Sequence, residues 1–260
     1  MSKLFDLSGK VALVTGGNGG IGLGMADAIA QCGASVAIWG TNADKNARAL
    51  EQLHAHGVDA EAWICNVADR EAVFDTTAKV LERFGRIDGC FANAGVSGRG
   101  RRSFLEIDPE EWQRVMTINV DGVYNTYQAV LTHMVERAEA GDSGGRLACV
   151  SSLASVSGAA RSEHYAASKG ALNAMTFALA VEFARYGITA NAILPGWIAT
   201  DMTADAMAQP KFAEAAGKRI PVRRWGEKED FGGIAAYLMS DASAYHTGQL
   251  LQIDGGYWRF

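Results

Sequence analysis

Short apolar runs and helical patterns alternate from one end of the chain to the other. The runs fall at 11–15, 35–39, 60–66, 87–92, 146–151, 188–194 and 249–253. Most are near-continuous in Val, Ile, Leu, Ala and Cys, as expected of strands covered on both faces. Between them, apolar residues recur every three or four positions over 21–31, 43–56, 70–84, 110–139, 165–186 and 228–240, the period of a helix with one buried face. Strand followed by helix, repeated, predicts βαβ units and a parallel sheet with helices on both sides. Right-handed crossovers leave few topologies, and the expected one is a Rossmann-type, doubly wound α/β sheet of seven strands. Asp108 and Pro109 suit the cap and first turn of the helix at 110–139.

Two segments break the rhythm. Residues 96–102 are rich in Gly and Arg, and residues 200–224 form a long connection with only a weak helical pattern. Long excursions after strands tend to carry sites. A flap is therefore expected around 196–224. No stretch resembles a linker and no repeat is present, so 1–260 reads as one domain.

Composition narrows the function classes. Of the 260 residues, 48% are hydrophobic and 20% charged, with a formal net charge of −5. That balance suits a globular enzyme-sized domain and argues against nucleic acid as a partner, which calls for a basic face. The opening residues hold no long apolar run, so neither a leader nor a membrane span is expected. Cys32, Cys65, Cys90 and Cys149 are far apart and lack metal-ligand spacing, so no metal is expected. They read as reduced thiols of a cytoplasmic protein.

Three features carry chemistry. Gly16, Gly20 and Gly22 punctuate the turn between the first strand and the first helix. Glycines there let the backbone approach a pyrophosphate, which the helix N-terminus then faces with free N–H groups. Tyr165 and Lys169 are four apart in a helical pattern and share one face. An ammonium near a phenol lowers its pKa, making a general acid/base for a carbonyl/alcohol pair. Ser152 follows the strand at 146–151, where α/β sheets place ligands, and its hydroxyl can donate to a carbonyl oxygen as charge builds there. Ser151 ranks second.

These motifs, in this order and spacing, resemble the short-chain dehydrogenase/reductase family from residue 9 to residue 256. The loop Thr15-Gly16-Gly17-Asn18-Gly19-Gly20-Ile21-Gly22 is similar to that family's T-G-x-x-x-G-x-G, and Tyr165 with Lys169 to its Y-x-x-x-K. The resemblance implies an oxidoreductase moving a hydride between a nicotinamide cofactor and a ketone or secondary alcohol. It assigns catalysis to Asn119, Ser152, Tyr165 and Lys169. Asn119 would interrupt its helix and hold a water that relays protons to the lysine. It assigns cofactor contacts to Gly16, Asn18, Gly20, Ile21, Gly22, Gly40, Thr41, Asn42, Asn66, Val67, Tyr165 and Lys169. Asn93-Ala94-Gly95 would pack beside the cofactor ribose, Pro195 and Gly196 would also contact the cofactor, and Thr200 and the backbone at Ile198 would meet the nicotinamide amide.

The chain also departs from the pattern. Gly40 stands where NAD-preferring members carry an acid, and neither Thr41 nor Gly19 supplies the arginine of NADP-preferring ones. Thr41 and Asn42 could form a small anion-binding turn, with Lys45 nearby, so NADP(H) is favoured and NAD(H) is the second choice. The substrate class is a small carbonyl or alcohol: a 3-oxoacyl thioester, sugar or polyol. Arg99, Arg101, Arg102 and His164 are left open as substrate contacts. Apolar positions such as Val123, Tyr127, Val130, Leu172, Phe177 and Leu179 exceed what one sheet obviously covers. With the resemblance, they point to a homotetramer. The alternatives are an epimerase or dehydratase on the same fold, and a nucleotide-binding redox sensor or scaffold without turnover.

Overall fold

The computed structural model describes residues 3–100 and 103–259. In chain order the main elements are β1 (Val11–Thr15), α1 (Gly20–Gln31), β2 (Ser35–Gly40), α2 (Ala43–His54), β3 (Ala60–Ile64), α3 (Arg70–Phe84) and β4 (Gly89–Ala92). There follow α4 (Pro109–Met116), α5 (Gly122–Glu139), β5 (Gly145–Val150), the short α6 (Ala154–Ser157), α7 (Glu163–Phe183) and β6 (Ile188–Pro195). The last elements are α8 (Ala204–Met207), α9 (Pro210–Arg219), α10 (Gly232–Met239) and β7 (Leu250–Ile253). The strands form one parallel sheet in the order β3-β2-β1-β4-β5-β6-β7, the doubly wound topology expected.

Period-two alternation builds a core on each face. Ala12, Val14, Val36 and Ile38 pack with Met25, Ile29, Leu53, Leu238 and Met239, placing α1, α2 and α10 on one side. Leu13, Ala37 and Trp39 pack with Val73, Val130, Met134 and Leu172, placing α3, α5 and α7 on the other. Strand order reverses between β1 and β4, so a crevice opens at their C-terminal ends.

Several boundaries differ from expectation. The run at 60–66 leaves the sheet after Ile64, because the chain turns away there to cap α3 with Asp69. The helix expected at 110–139 is two helices joined by a π-turn over Thr117–Asp121. The cause is Asn119, which is fully buried and bonded to residues far along the chain rather than to its own helix. Residues 228–240 begin as a 3₁₀ turn before α10. The segment after β6 holds more order than its sequence pattern implies. Trp197, Phe212 and Trp225 form an aromatic cluster, with centroids 4.9, 5.4 and 6.5 Å apart, that fastens α9 beside the exit of β6.

The sheet covers more apolar helix surface than expected. Val123, Tyr127, Val130 and Leu172 are buried against it, and Leu179 is partly buried. On α7, Phe177 at 46% and Val181 at 82% exposure remain outside. Among the described residues, no helix is long and apolar enough to cross a membrane.

The contact of α1 with the approach to α10 tests this packing. A Cβ on Gly24 would lie 2.0 Å from the Lys228 carbonyl oxygen, whereas one on Gly233 would meet nothing within 4 Å. Gly24→Ala is expected to destabilise by about 1–3 kcal/mol, despite the better helix propensity of alanine. Gly233→Ala is expected to stabilise by roughly 0.5–1 kcal/mol. Urea unfolding of both variants reads the signs. A stabilising Gly24→Ala would mean that α1 and the approach to α10 are not in close contact at Gly24.

Candidate active site

The crevice at the switch point is a cleft of about 280 Å³. Its walls bring together Gly16, Asn18, Gly20, Ile21, Asn93, Ala94, Gly95, Ser152, Tyr165, Lys169, Pro195, Gly196, Ile198 and Thr200. The residues come from the C-terminal ends of β1, β4, β5 and β6 and from one face of α7. Residues distant in sequence thus meet because parallel strands all end on the same edge.

At the glycine loop, the chain crosses itself closely. Gly16 has φ +63°, and a Cβ there would fall 2.8 Å from Asn93 Nδ2. A Cβ on Gly22 would fall 2.2 Å from the Gly16 carbonyl oxygen, so Gly22 supports the loop from behind. Asn93 Nδ2 donates to the Thr15 and Gly16 carbonyls at 3.0 and 3.1 Å. Thr15 Oγ1 accepts from the backbone N–H groups of Asn93 and Ala94 at 3.1 and 3.0 Å. No side chain caps α1, whose first turn meets the cleft at Gly20 and Ile21. A glycine cradle facing an uncapped helix N-terminus fits a dinucleotide pyrophosphate.

At the other end, Lys169 is 4% exposed and its Nζ donates to the Val150 carbonyl at 2.7 Å. Burial drives its pKa down from 10.5 to about 8. Nζ lies 5.8 Å from the centre of the Tyr165 ring. Burial pushes the Tyr165 phenol up, and interaction with the Ser152 hydroxyl pulls it back down. Burial disfavours the charged form of each group. Ser151 is buried, and its Oγ donates to the Lys169 carbonyl at 3.0 Å. Ser152 Oγ accepts from Ala154 N at 3.1 Å and keeps its own proton for another partner.

Asn119 lies behind the cleft. Its Oδ1 accepts from Val96 N at 2.8 Å, and its Nδ2 donates to the Val96 carbonyl and to Ser168 Oγ, each at 3.0 Å. Both N–H bonds are spent, so the side chain clamps the 95–96 turn to α7. Several other expected residues also lie outside the cleft. Gly40 is covered by Asn18, whose Nδ2 would be 2.0 Å from a Cβ there. Asn42 Oδ1 caps α2 by accepting from Lys45 N at 2.9 Å, and Thr41 is exposed beside it. Asn66 is exposed over a separate shallow depression bordered by Pro109, Gln113 and Arg114, and Val67 is buried. His164 is 3% exposed beneath the turn at Gly98, with neither ring nitrogen hydrogen-bonded among the described residues. Arg99 N donates to Glu111 Oε1 at 2.7 Å, and Arg101 and Arg102 lie outside the described residues.

Sequence reasoning missed Thr203 and Asn46, and named Lys45 without its partner Asp201. Thr203 Oγ1 donates to the Ile198 carbonyl and fixes the turn after β6. Lys45 Nζ reaches across the cleft mouth to Asp201 Oδ2 at 2.5 Å. Asn46 is buried behind Asn18 and accepts from its Nδ2 at 2.7 Å. Only Asn46 left a signal: a carboxamide on the apolar stripe that also holds Ala49 and Leu53. Among the described residues, no group of three or more His, Cys, Asp or Glu is placed to hold a metal ion.

Comparison with known proteins bears on this geometry. A family model described as enoyl-(acyl carrier protein) reductase matches residues 16–258. A gluconate 5-dehydrogenase of Gluconobacter oxydans is 36% identical over 97% of this chain and 96% of its own length. A 3-oxoacyl-[acyl-carrier-protein] reductase of Thermotoga maritima is 36% identical over 96% of this chain and 98% of its own. A gluconate 5-dehydrogenase from Burkholderia cenocepacia, solved with NADP and tartrate, superposes with a TM-score of 0.91 at 33% identity. That match covers 99% of this chain and 98% of the other.

The depressed pKa of Lys169 has a thermodynamic consequence. Between about pH 8 and 10.5 the unfolded chain holds this proton and the folded one releases it. Stability contributed through Lys169 therefore rises with pH across that window, and the burial penalty is full below it. Lys169→Met removes the penalty. The variant's stability relative to wild type is expected to be most favourable at pH 7 and to decline towards pH 10. Urea unfolding of both proteins across that range measures the difference. A flat difference would show that Lys169 titrates normally.

Proposed function

The chain belongs to the short-chain dehydrogenase/reductase family, and on that premise we propose that it interconverts a ketone and a secondary alcohol on a sugar acid or related polyol. One observation carries the reading: Tyr165, Lys169 and Ser152 converge at one end of a cleft whose other end is a glycine cradle. The nicotinamide, when bound, supplies or accepts the hydride. Ser152 donates a hydrogen bond from its hydroxyl to the substrate oxygen, where charge grows during reduction, and keeps its proton. Tyr165 gives that oxygen its proton and takes it back in the oxidative direction. Lys169, held by the Val150 carbonyl, keeps a partial positive charge beside the phenol near neutral pH and has donors left for a ribose. Asn119 positions α7 and the 95–96 turn.

Gly16, Asn18, Gly20 and Ile21 would cradle the cofactor, with Asn93, Ala94 and Gly95 and, further along the cleft, Pro195, Gly196, Ile198 and Thr200 also holding it. Gly40 offers no carboxylate, Thr41 and Asn42 are exposed at the N-terminus of α2, and Lys45 is at hand, so NADP(H) is the preferred form and NAD(H) the alternative. The NADP-bound Burkholderia relative supports that choice. Residues 196–224 act as the substrate flap of a single-domain enzyme. The four unpaired cysteines suit the reducing cytoplasm. The Thermotoga relative supports a second substrate class, 3-oxoacyl thioesters. An epimerase, a dehydratase or a silent sensor is less well supported, because the proton-handling trio is intact at the cleft.

The test is a panel of keto-sugar acids, polyols and 3-oxoacyl thioesters assayed with NADPH and NADH by nicotinamide absorbance. Turnover is expected with a keto-sugar acid, faster with NADPH. Tyr165→Phe is expected to keep the fold and lose roughly 10²-fold or more in turnover. Near-normal turnover in that variant would remove Tyr165 from the mechanism.

Exposed Phe177 and Val181 on α7, with Tyr124 on α5, support assembly as a homotetramer. Light scattering at micromolar concentration is expected to give four times the chain mass. A stable monomer would overturn the assembly.

A further inference from the structure

Behind the glycine loop, two carboxamides form a relay whose polarity is fixed by the backbone. Asn46 is 5% exposed on the inner face of α2. Its Nδ2 donates to the Gly40 carbonyl at 3.4 Å and to the Trp63 carbonyl at 3.3 Å. Carbonyl oxygens only accept, so this amide cannot be turned round without setting its own oxygen against both of them. Its Oδ1 must therefore point the other way, where it accepts from Asn18 Nδ2 at 2.7 Å. The same logic passes one step further. Asn18 is held by its nitrogen, and its Oδ1 is left as an acceptor on a residue that lines the cleft.

The location says what this acceptor would meet. Tyr165, Lys169 and Ser152 mark the reactive end of the cleft, and the N-terminus of α1 marks the pyrophosphate. The other half of a dinucleotide then extends over the end of β2, where Asn18 covers Gly40. A bare acceptor repels phosphate oxygens and pairs with a hydroxyl donor. Of the adenosine ribose hydroxyls, the 3′-hydroxyl is present in both NADP(H) and NAD(H). A side chain at position 40 is also excluded, since its Cβ would lie 2.0 Å from Asn18 Nδ2 and 2.5 Å from Asn46 Oδ1.

We propose that Asn46 is a positioning residue for the dinucleotide: it acts through Asn18 to present a fixed acceptor to the adenosine ribose. It does not touch the cofactor, and it serves both cofactor forms alike. The 2′-phosphate is then chosen elsewhere, by Thr41, Asn42 and Lys45. This inference rests on the dinucleotide reading of the cleft.

The experiment is a double-mutant cycle on cofactor binding, read by quenching of protein fluorescence with NADPH and with NADH, alongside melting of the ligand-free proteins. Asn46→Leu is expected to weaken both cofactors by roughly three- to tenfold, leaving their ratio unchanged. In an Asn18→Ala background, the same substitution is expected to add less than about twofold. Asn46→Ser, smaller and still polar, runs through the same cycle if the leucine variant melts too low. Unchanged affinity, or an equal loss in both backgrounds, would overturn the relay, since a packing role does not depend on Asn18. A loss confined to NADPH would also overturn it, by placing the effect at the 2′-phosphate. Wild-type protein that binds neither cofactor would instead remove the dinucleotide reading, and the relay with it.

Discussion

The rest of the site depends on the junction where β1 and β4 end side by side. Asn93 reaches from one strand end to two carbonyls of the glycine turn, and Thr15 returns two bonds to the backbone after β4. This stitching leaves no space for side chains at Gly16 or Gly22. It also sets where α1 begins, and so where its N-terminal dipole points. The sheet's strand order creates a crevice, and the Asn93–Thr15 bonds hold the glycine turn against one of its walls.

From that junction the site extends along two buried polar lines. One runs from Val96 through Asn119 to Ser168 and fixes α7 relative to β4. The other runs from the ends of β2 and β3 through Asn46 to Asn18. Each connects segments that the chain alone keeps far apart, and each leaves the groups facing the cleft with their directions already set. Such preorganisation lowers the ordering cost of binding.

How much of this was legible in the sequence follows from where the information lies. The strands were legible because burial on both faces makes their apolar runs continuous. The cleft residues were legible because a parallel sheet sends every strand's C-terminal end to one edge. The π-turn was not. Asn119 departs from its helix for partners 23 and 49 residues away, and no local periodicity encodes that choice. The burial of the phenol was not legible for a related reason. The four-residue spacing of Tyr165 and Lys169 shows in sequence, whereas the depth at which the fold buries them does not. Asn46 was visible as a polar residue on an apolar stripe, but its partner Asn18 lies 28 residues earlier.

The Lys45–Asp201 pair, reaching from α2 to the turn after β6, spans the mouth of the cleft. Both side chains are substantially open to solvent, so counterions compete with each of them. A ligand entering from above meets a clasp that added salt loosens, while the glycine cradle beneath it is backbone whose shape salt does not change. Ionic strength would therefore reach the kinetics of entry and exit first, making the traffic through this cleft sensitive to the medium even where its walls are not.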